Sequence, residues 1–155
     1  MNNQRRNVLK TGSGAALLSL LVSAGMIIPG SALAEWQQSA FDAKSMADTL
    51  KALGATAPLD SKDIQITGPD IADNGAVVPV GVASTLPSVT MIAILIEKNP
   101  KILAACFDLP EGTEADIRTR VKMGESSNIY ALVKSDGKFF LAAKEVKVIL
   151  GGCGG

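Results

Sequence analysis

The chain beyond residue 35 begins with a helical spacing of apolar side chains. Between residues 39 and 53 the apolar positions lie roughly on one side of a helix. They are Phe41, Met46, Leu50 and Leu53. Gly54 follows directly and is predicted to end the helix. The pattern therefore predicts one helix over 39–53, followed by a connector with Pro and Asp over 56–62.

From residue 63 the helical spacing gives way to short runs rich in Val and Ile, which favour β-strands. Turn residues such as Gly68-Pro69, Asp73-Asn74-Gly75 and Ser135-Asp136-Gly137 separate most of these runs. The predicted strands cover 63–67, 76–83, 89–97, 102–109, 117–123, 129–134, 138–144 and 145–150. Short strands at this spacing favour an all-β, immunoglobulin-like β-sandwich domain over 35–150, with a small open barrel as the alternative.

The last predicted strand passes abruptly into Gly151-Gly152-Cys153-Gly154-Gly155. Glycine in four of these five positions makes residues 151–155 a thin, conformationally permissive arm. An extended chain rises about 3.3 Å per residue, so the arm can carry Cys153 roughly 10 Å beyond the strand. Cysteine is normally a buried residue type, and an exposed thiol on such an arm predicts delivery into the cleft of another protein.

Residues 1–34 have the pattern of a cleaved signal peptide. A basic start precedes an apolar stretch over 15–28, and Ala32-Leu33-Ala34 is a small-residue cleavage site. The stretch is shorter than the roughly 20 residues that span a membrane, so an anchor is disfavoured. Arg5-Arg6 with a following apolar pair and Lys10 resembles the twin-arginine export signal. We expect a periplasmic protein that is exported after folding.

Composition excludes several functional classes. The chain has no histidine, which removes the usual general base and the commonest transition-metal ligand. Cleavage after residue 34 would leave 12 basic against 15 acidic side chains, a net charge of about −3, which disfavours nucleic acid as a partner. With two cysteines and no ligand spacing, we expect no metal and no cofactor. We therefore expect no self-contained catalysis.

Two further features have ordinary structural explanations. Cys106 lies in an apolar run, which is typical of a small buried thiol. Arg118, Arg120 and Lys122 alternate with less polar residues, which places three cations on one face of a strand. A solvated outer face is the favoured interpretation, and an acidic partner surface or an anionic adduct is the alternative.

The end of the chain, from Lys144 through the Gly151–Gly155 arm, resembles the C-terminal signature of the SoxY family of sulfur carriers. Other stretches resemble family segments and extend the resemblance over essentially the whole mature chain. They are Asp70-Ile71-Ala72-Asp73-Asn74-Gly75-Ala76-Val77-Val78-Pro79-Val80, Glu97-Lys98-Asn99-Pro100 and Arg118-Thr119-Arg120-Val121-Lys122-Met123. Two departures are Lys101-Ile102, where many relatives have a second proline, and Cys106.

The resemblance implies a noncatalytic carrier in periplasmic thiosulfate oxidation, paired with a SoxZ-like subunit. Cys153 would hold the covalent sulfur adducts while separate enzymes act on them. The cytochrome SoxAX would attach thiosulfate, SoxB would release sulfate, and SoxCD, where present, would oxidise the remaining sulfur. No cation in the arm lowers the pKa of the Cys153 thiol, so activation must come from a partner.

The arm alone leaves other interpretations open. The tail is also compatible with a frayed terminus, a disulfide between Cys106 and Cys153, or an intermolecular disulfide through Cys153. The last of these would make the chain a noncatalytic exported β-sandwich whose Cys153 links the subunits of an oligomer through a structural disulfide. None of them explains four flanking glycines.

Overall fold

A computed structural model describes residues 38–150 of the chain. In this range two short helices precede nine strands, which form a six-stranded sheet and a three-stranded sheet. The elements are α1 Gln38–Asp42, α2 Met46–Ala52, β1 Leu59–Asp60, β2 Ile64–Thr67, β3 Ile71–Asn74, β4 Val78–Ser84, β5 Val89–Ile96, β6 Leu103–Asp108, β7 Asp116–Val121, β8 Ser127–Ser135 and β9 Lys138–Leu150.

The larger sheet has the strand order β1-β9-β8-β5-β6, and β3 also pairs with β9. The β5, β6, β8 and β9 ladders are antiparallel, whereas β1 and β3 run parallel to β9. The smaller sheet, β2-β4-β7, is antiparallel throughout. Two sheets packed face to face form a β-sandwich, which confirms the predicted fold class.

The main apolar core lies between the two sheets, and a second apolar cluster lies between the larger sheet and the helices. Strand β5 contributes to both. Ile92, Ile94 and Ile96 belong to the core between the sheets, while Met91, Ala93 and Leu95 belong to the helix side. Because β5 is covered on both faces, its sequence is an almost uninterrupted apolar run rather than an alternating one.

The single predicted helix over 39–53 is wrong, because the structure has two helices there. Ser45 has extended backbone angles, and its hydroxyl oxygen accepts a hydrogen bond from the Asp48 amide, so it caps a new helix instead of continuing the first one. The predicted stop is confirmed, since Gly54 has a φ of 80° and its N–H bonds the Lys51 carbonyl.

The division of the C-terminal segment into strands over 138–144 and 145–150 is also wrong. Pairing between β8 and β9 continues without a break through Asn128↔Glu145 and Ser127↔Val146, so 138–150 is one strand. Strands β1 and β3 lie in segments that the sequence pattern assigned to connectors. Both are short and pair in parallel with distant residues of β9, an arrangement that leaves no local signature.

Candidate functional site

The predicted site residues Cys153, Gly151, Gly152, Gly154 and Gly155 lie outside the described residues 38–150. The structure does describe the last residues of β9, which lead directly to them. We use "arm root" for Lys147–Leu150, the final four residues of β9. The end of the arm root at Leu150 is the point on the sandwich from which the arm with Cys153 continues.

The arm root extends beyond the end of its neighbour β8. The β8–β9 ladder ends at Ser127↔Val146, so the next backbone groups on that side need another partner. The side chain of Ser126 is this partner. Its hydroxyl accepts a hydrogen bond from the Val148 N–H at 2.9 Å and lies 3.4 Å from the Val148 carbonyl, to which it donates. One serine thus replaces a strand residue on this edge of the arm root.

Strand β3 occupies the other edge of the arm root. The parallel register is Ile71↔Lys147, Ala72↔Val148 and Asn74↔Leu150, and the Lys147 N–H also donates to the Asp70 carbonyl at 2.9 Å. The Lys144 ammonium contacts the Asp70 carboxylate at 2.6 Å. This hydrogen bond, with the Lys144 charge, lowers the pKa of Asp70. The start of β3 is therefore held to β9 by backbone and side-chain contacts.

Gly75 connects the last residue of the arm root to the second sheet. Its N–H donates to the Leu150 carbonyl at 2.8 Å, and its carbonyl accepts from the Met123 N–H at 2.7 Å. The Asn74 side chain closes the turn by accepting from the Ala76 N–H at 2.8 Å. Since Met123 lies two residues beyond the end of β7, Gly75 links Leu150 of the larger sheet to the chain that leaves the smaller sheet.

Several large aliphatic side chains at and beside the arm root are exposed. Ile71, Val77, Ile149 and Leu150 are large aliphatic side chains that are more than half exposed. Below them, Val146 is fully buried and Val148 packs against the core between the sheets. The backbone of the arm root is therefore well anchored, although its outermost side chains are not covered within residues 38–150.

Cys106 does not belong to this site. It lies on β6, three strand positions away from β9 in the larger sheet, which is about 14 Å across the strands. Its thiol is free, and partial burial, assisted by the nearby Asp108 charge, raises its pKa to about 11. A thiol with so high a pKa is a poor nucleophile at neutral pH.

The basic residues of β7 face away from the core. Arg118 and Arg120 are exposed, whereas Ile117 and Val121 turn inward, and Arg118 contacts the Asp116 carboxylate at 3.2 Å. Lys122 lies just beyond the end of β7 and is also exposed. The favoured interpretation of a solvated outer face agrees with this geometry.

Sequence reasoning missed Ser126, Asp70 and Gly75 as residues that support the site. Each acts through hydrogen bonds to a segment 22 to 77 positions away or through a turn between sheets, and no local motif marks such a role. The pattern did identify Asp73-Asn74-Gly75 as a turn, but not its contact with Leu150.

Within residues 38–150, no group of three or more Cys, Asp or Glu side chains is arranged to hold a metal ion. In the same range, none of the helices has the length and apolar character needed to cross a membrane. The predicted export signal over residues 1–34 lies outside the described residues.

Residues 38–150 form a two-sheet β-sandwich, and its last strand leads into a glycine-flanked cysteine, so the chain is of the class of β-sandwich proteins that carry a thiol beyond the last strand. The family model described as "Sulfur oxidation protein SoxY" matches residues 50–153, and the matched region ends at the cysteine. The chain belongs to the SoxY family. Comparison with curated protein sequences found no match.

Solved structures agree with the family. The sulfur carrier protein SoxY from Chlorobium limicola f thiosulfatophilum is 36% identical, with a TM-score of 0.63 over 73% of this chain and 99% of that one. A superoxide reductase (neelaredoxin) from Ignicoccus hospitalis is 20% identical, with a TM-score of 0.50 over 55% of this chain and 79% of its own. The second likeness concerns the fold alone.

Proposed function

We propose that this chain carries the sulfur intermediates of thiosulfate oxidation as covalent adducts of the Cys153 thiol. The observation that carries the proposal is the family match, which runs through the sandwich domain and ends at Cys153. The similar Chlorobium protein is itself described as a sulfur carrier. Gly151, Gly152, Gly154 and Gly155 form the carrier arm that presents the thiol to the enzymes.

The anchored arm root supports a carrier whose body is fixed up to the point where the arm begins. Ser126 and β3 hold both edges of β9 up to Val148, and Gly75 holds the Leu150 carbonyl. From Leu150 the covalent distance to Cys153 is only three residues, about 10 Å when extended. A partner enzyme would therefore find the thiol within a small volume beyond a well-defined point on the carrier.

The chemistry places the redox and hydrolytic work on the partners. Attachment joins the outer sulfur of thiosulfate to the Cys153 sulfur, releases one proton and passes two electrons to an oxidant, which is the c-type cytochrome SoxAX in the proposed system. SoxB then adds water across the sulfur–sulfonate bond, releasing sulfate and a proton and leaving a persulfide on Cys153. SoxCD, where present, oxidises that sulfur. The carrier itself contributes a thiol and its delivery.

We also infer that the protein works in the periplasm, after export through the twin-arginine route and together with a SoxZ-like subunit. The motivating features are Arg5-Arg6, the apolar stretch over 15–28 and the small-residue site at Ala32-Leu33-Ala34. An extra-cytoplasmic location also fits a carrier that depends on a cytochrome oxidant. Release of the mature chain after Ala34 gives a domain over 35–150 and the arm over 151–155.

Replacement of Cys153 by serine tests the proposal, with Cys106→Ser as the matched control. The alcohol cannot form a disulfide-like bond to sulfur, so we expect the Cys153 variant to lose thiosulfate-dependent turnover in a reconstituted system. The Cys106 variant should retain turnover. Intact-mass analysis without reductant should show sulfur adducts on the wild-type chain. A clean dimer mass that requires Cys153, with no sulfur adduct, would instead support a structural intermolecular disulfide.

A further inference from the structure

The turn between β5 and β6 is hydrogen-bonded to the loop that follows β7. Asn99 in this turn contacts the loop twice. Its Nδ2 donates to the Lys122 carbonyl at 2.7 Å, and its Oδ1 accepts from the Gly124 N–H at 3.0 Å. One asparagine side chain therefore holds the peptide units on both sides of Met123.

The Lys122–Met123 peptide unit connects Asn99 to the arm root. A trans peptide unit is planar, and its C=O and N–H point in opposite directions. Asn99 bonds the C=O of this unit, while its N–H, which is that of Met123, donates to the Gly75 carbonyl at 2.7 Å. The Gly75 N–H then donates to the Leu150 carbonyl at 2.8 Å. We call this run of hydrogen bonds, from Asn99 through the Lys122–Met123 peptide and Gly75 to Leu150, the anchor relay.

The turn that carries Asn99 is held by contacts of its own. Pro100 follows Asn99, and a proline disfavours helical backbone angles in the residue before it. The Lys98 N–H donates to the Ser127 hydroxyl at 3.1 Å, and that buried hydroxyl donates to the Asn128 carbonyl at 3.1 Å. Because the turn is fixed in this way, the Asn99 side chain can hold the neighbouring loop.

The anchor relay ends on the peptide unit that joins β9 to the arm. The Leu150 carbonyl belongs to that unit, so a hydrogen bond to this carbonyl orients the plane in which the arm starts. Ser126 holds β9 as far as Val148. The bond from Gly75 therefore holds the next two residues, Ile149 and Leu150, on the body of the carrier.

We propose that Asn99 is a positioning residue for sulfur transfer, because through the anchor relay it fixes the place and direction in which the arm with Cys153 starts. The proposal rests on the carrier function proposed above. If the relay opened, Ile149 and Leu150 would be released, and the tether to Cys153 would grow from three residues to five. The effective concentration of a tethered group falls roughly as the −3/2 power of tether length, so that of the thiol at an enzyme entrance would fall about twofold.

Hydrogen exchange of Asn99→Asp in the full mature chain tests the relay. Aspartate has the shape of asparagine, and its carboxylate still accepts from the Gly124 N–H, but it cannot donate to the Lys122 carbonyl. We therefore expect the Met123 and Gly75 amides to exchange about three- to tenfold faster, while the Gly124 amide keeps its wild-type rate. Asn99→Ala removes both hydrogen bonds and should accelerate the exchange of all three amides.

Asn128→Ala is the matched control. The Asn128 Nδ2 donates to the Glu97 carboxylate at 2.9 Å, so this side chain contacts the same turn but has no part in the relay. The Met123, Gly75 and Gly124 amides should keep their wild-type exchange rates in this variant. Circular dichroism should match the wild type for all three variants.

Turnover by SoxB tests the role of the relay in sulfur transfer. The kcat/KM for the loaded carrier should fall about twofold in Asn99→Asp and stay at the wild-type value in Asn128→Ala. Labelling of Cys153 with a small thiol reagent should be the same in both variants, because such a reagent needs no directed arm.

Separate results would overturn each part of the proposal. Wild-type exchange of Met123 and Gly75 in Asn99→Asp would overturn the relay. Equal acceleration of Gly124 in that variant would also overturn it, because Asn99 would then only support the loop. An unchanged kcat/KM would overturn the role in transfer. Failure of the wild-type chain to accept any adduct on Cys153 would refute the carrier function itself, and the transfer role with it, whatever the exchange rates.

Discussion

Replacing Ser126 with alanine should loosen the arm root without disturbing the sandwich. The substitution removes the hydroxyl that accepts the Val148 N–H at 2.9 Å and contacts the Val148 carbonyl at 3.4 Å. No β8 backbone partner is present at this position, because the β8–β9 ladder stops at Ser127↔Val146. The β3 edge of β9 would remain paired, so we expect fraying rather than loss of the strand.

The expected magnitude follows from the burial of these groups. A lost hydrogen bond costs about 0.5–1.5 kcal/mol, and an unsatisfied buried partner costs more. Val148 and Ser126 are only half-buried, so water can reach the freed groups and the lower range applies. A cost of about 1 kcal/mol raises the equilibrium constant for local opening about fivefold. The global free energy of unfolding should fall by a similar, small amount.

Hydrogen exchange measures this opening directly. The Val148 amide should exchange about five times faster in Ser126→Ala than in the wild type. Ser135→Ala is the matched control, because Ser135 lies at the opposite end of β8 and its hydroxyl bonds the Pro87 carbonyl. That control also loses one serine hydrogen bond but leaves Val148 untouched. Ser126→Thr, which keeps a hydroxyl, should restore slow exchange.

The effect on enzyme turnover has an upper bound. If Val148–Leu150 frayed completely, the tether to Cys153 would double from three residues to six, and the effective concentration of the thiol would fall about threefold. Turnover by SoxB should therefore drop by no more than this factor. Equal Val148 exchange rates in Ser126→Ala and Ser135→Ala would refute the role assigned to Ser126.

Three more predictions concern the ends of the chain and Cys106. Changing Arg5 and Arg6 to lysine should leave uncleaved precursor in the cytoplasm, as fractionation and immunoblotting would show; normal periplasmic maturation would contradict the twin-arginine route. Gly152→Val should reduce enzymatic turnover steeply while small-reagent labelling of Cys153 persists, because β-branched bulk obstructs a narrow entrance only. With its pKa raised to about 11, the Cys106 thiol is about one part in a thousand thiolate at pH 8, so alkylation of the folded protein at this pH should label Cys153 selectively. Labelling of Cys106 should increase as the pH rises toward 11. Equal alkylation rates of the two cysteines at pH 8 would contradict the raised pKa of Cys106.

Local patterns were sufficient for most of the sandwich. Strands β2, β4, β5, β6, β7 and β8 fall within two residues of the predicted ranges, because each is an apolar or alternating run between turn residues. The helix break at Ser45 and the continuity of β9 through Lys144 and Glu145 were not predicted. In both places a tertiary or capping contact outweighed the apolar spacing.

The candidate site also has parts that the sequence predicted and parts that it did not. The thiol and its glycine arm are covalent facts of the sequence, and their pattern is specific enough to identify the SoxY family, which the family match confirms. The pairing of the Cys153 adduct with particular enzymes stays a prediction. The supports of the arm root had no sequence signal, because Ser126, Asp70 and Gly75 act on residues of β9 that are distant in the chain.

The sequence by itself determined the class of fold and the family, and it predicts a signal peptide and a thiol as the reactive group. These follow from properties that neighbouring residues share, namely apolar alternation, turn chemistry and a run of glycines around one cysteine. The tertiary structure alone decided which segments hold the last residues of β9, from which the arm continues. Parallel pairing of β3 with β9, and the Gly75 bridge between Leu150 and Met123, bring together segments that no local periodicity relates. The physical reason is that such contacts depend on the register of distant strands, which is set by burial across the whole sandwich.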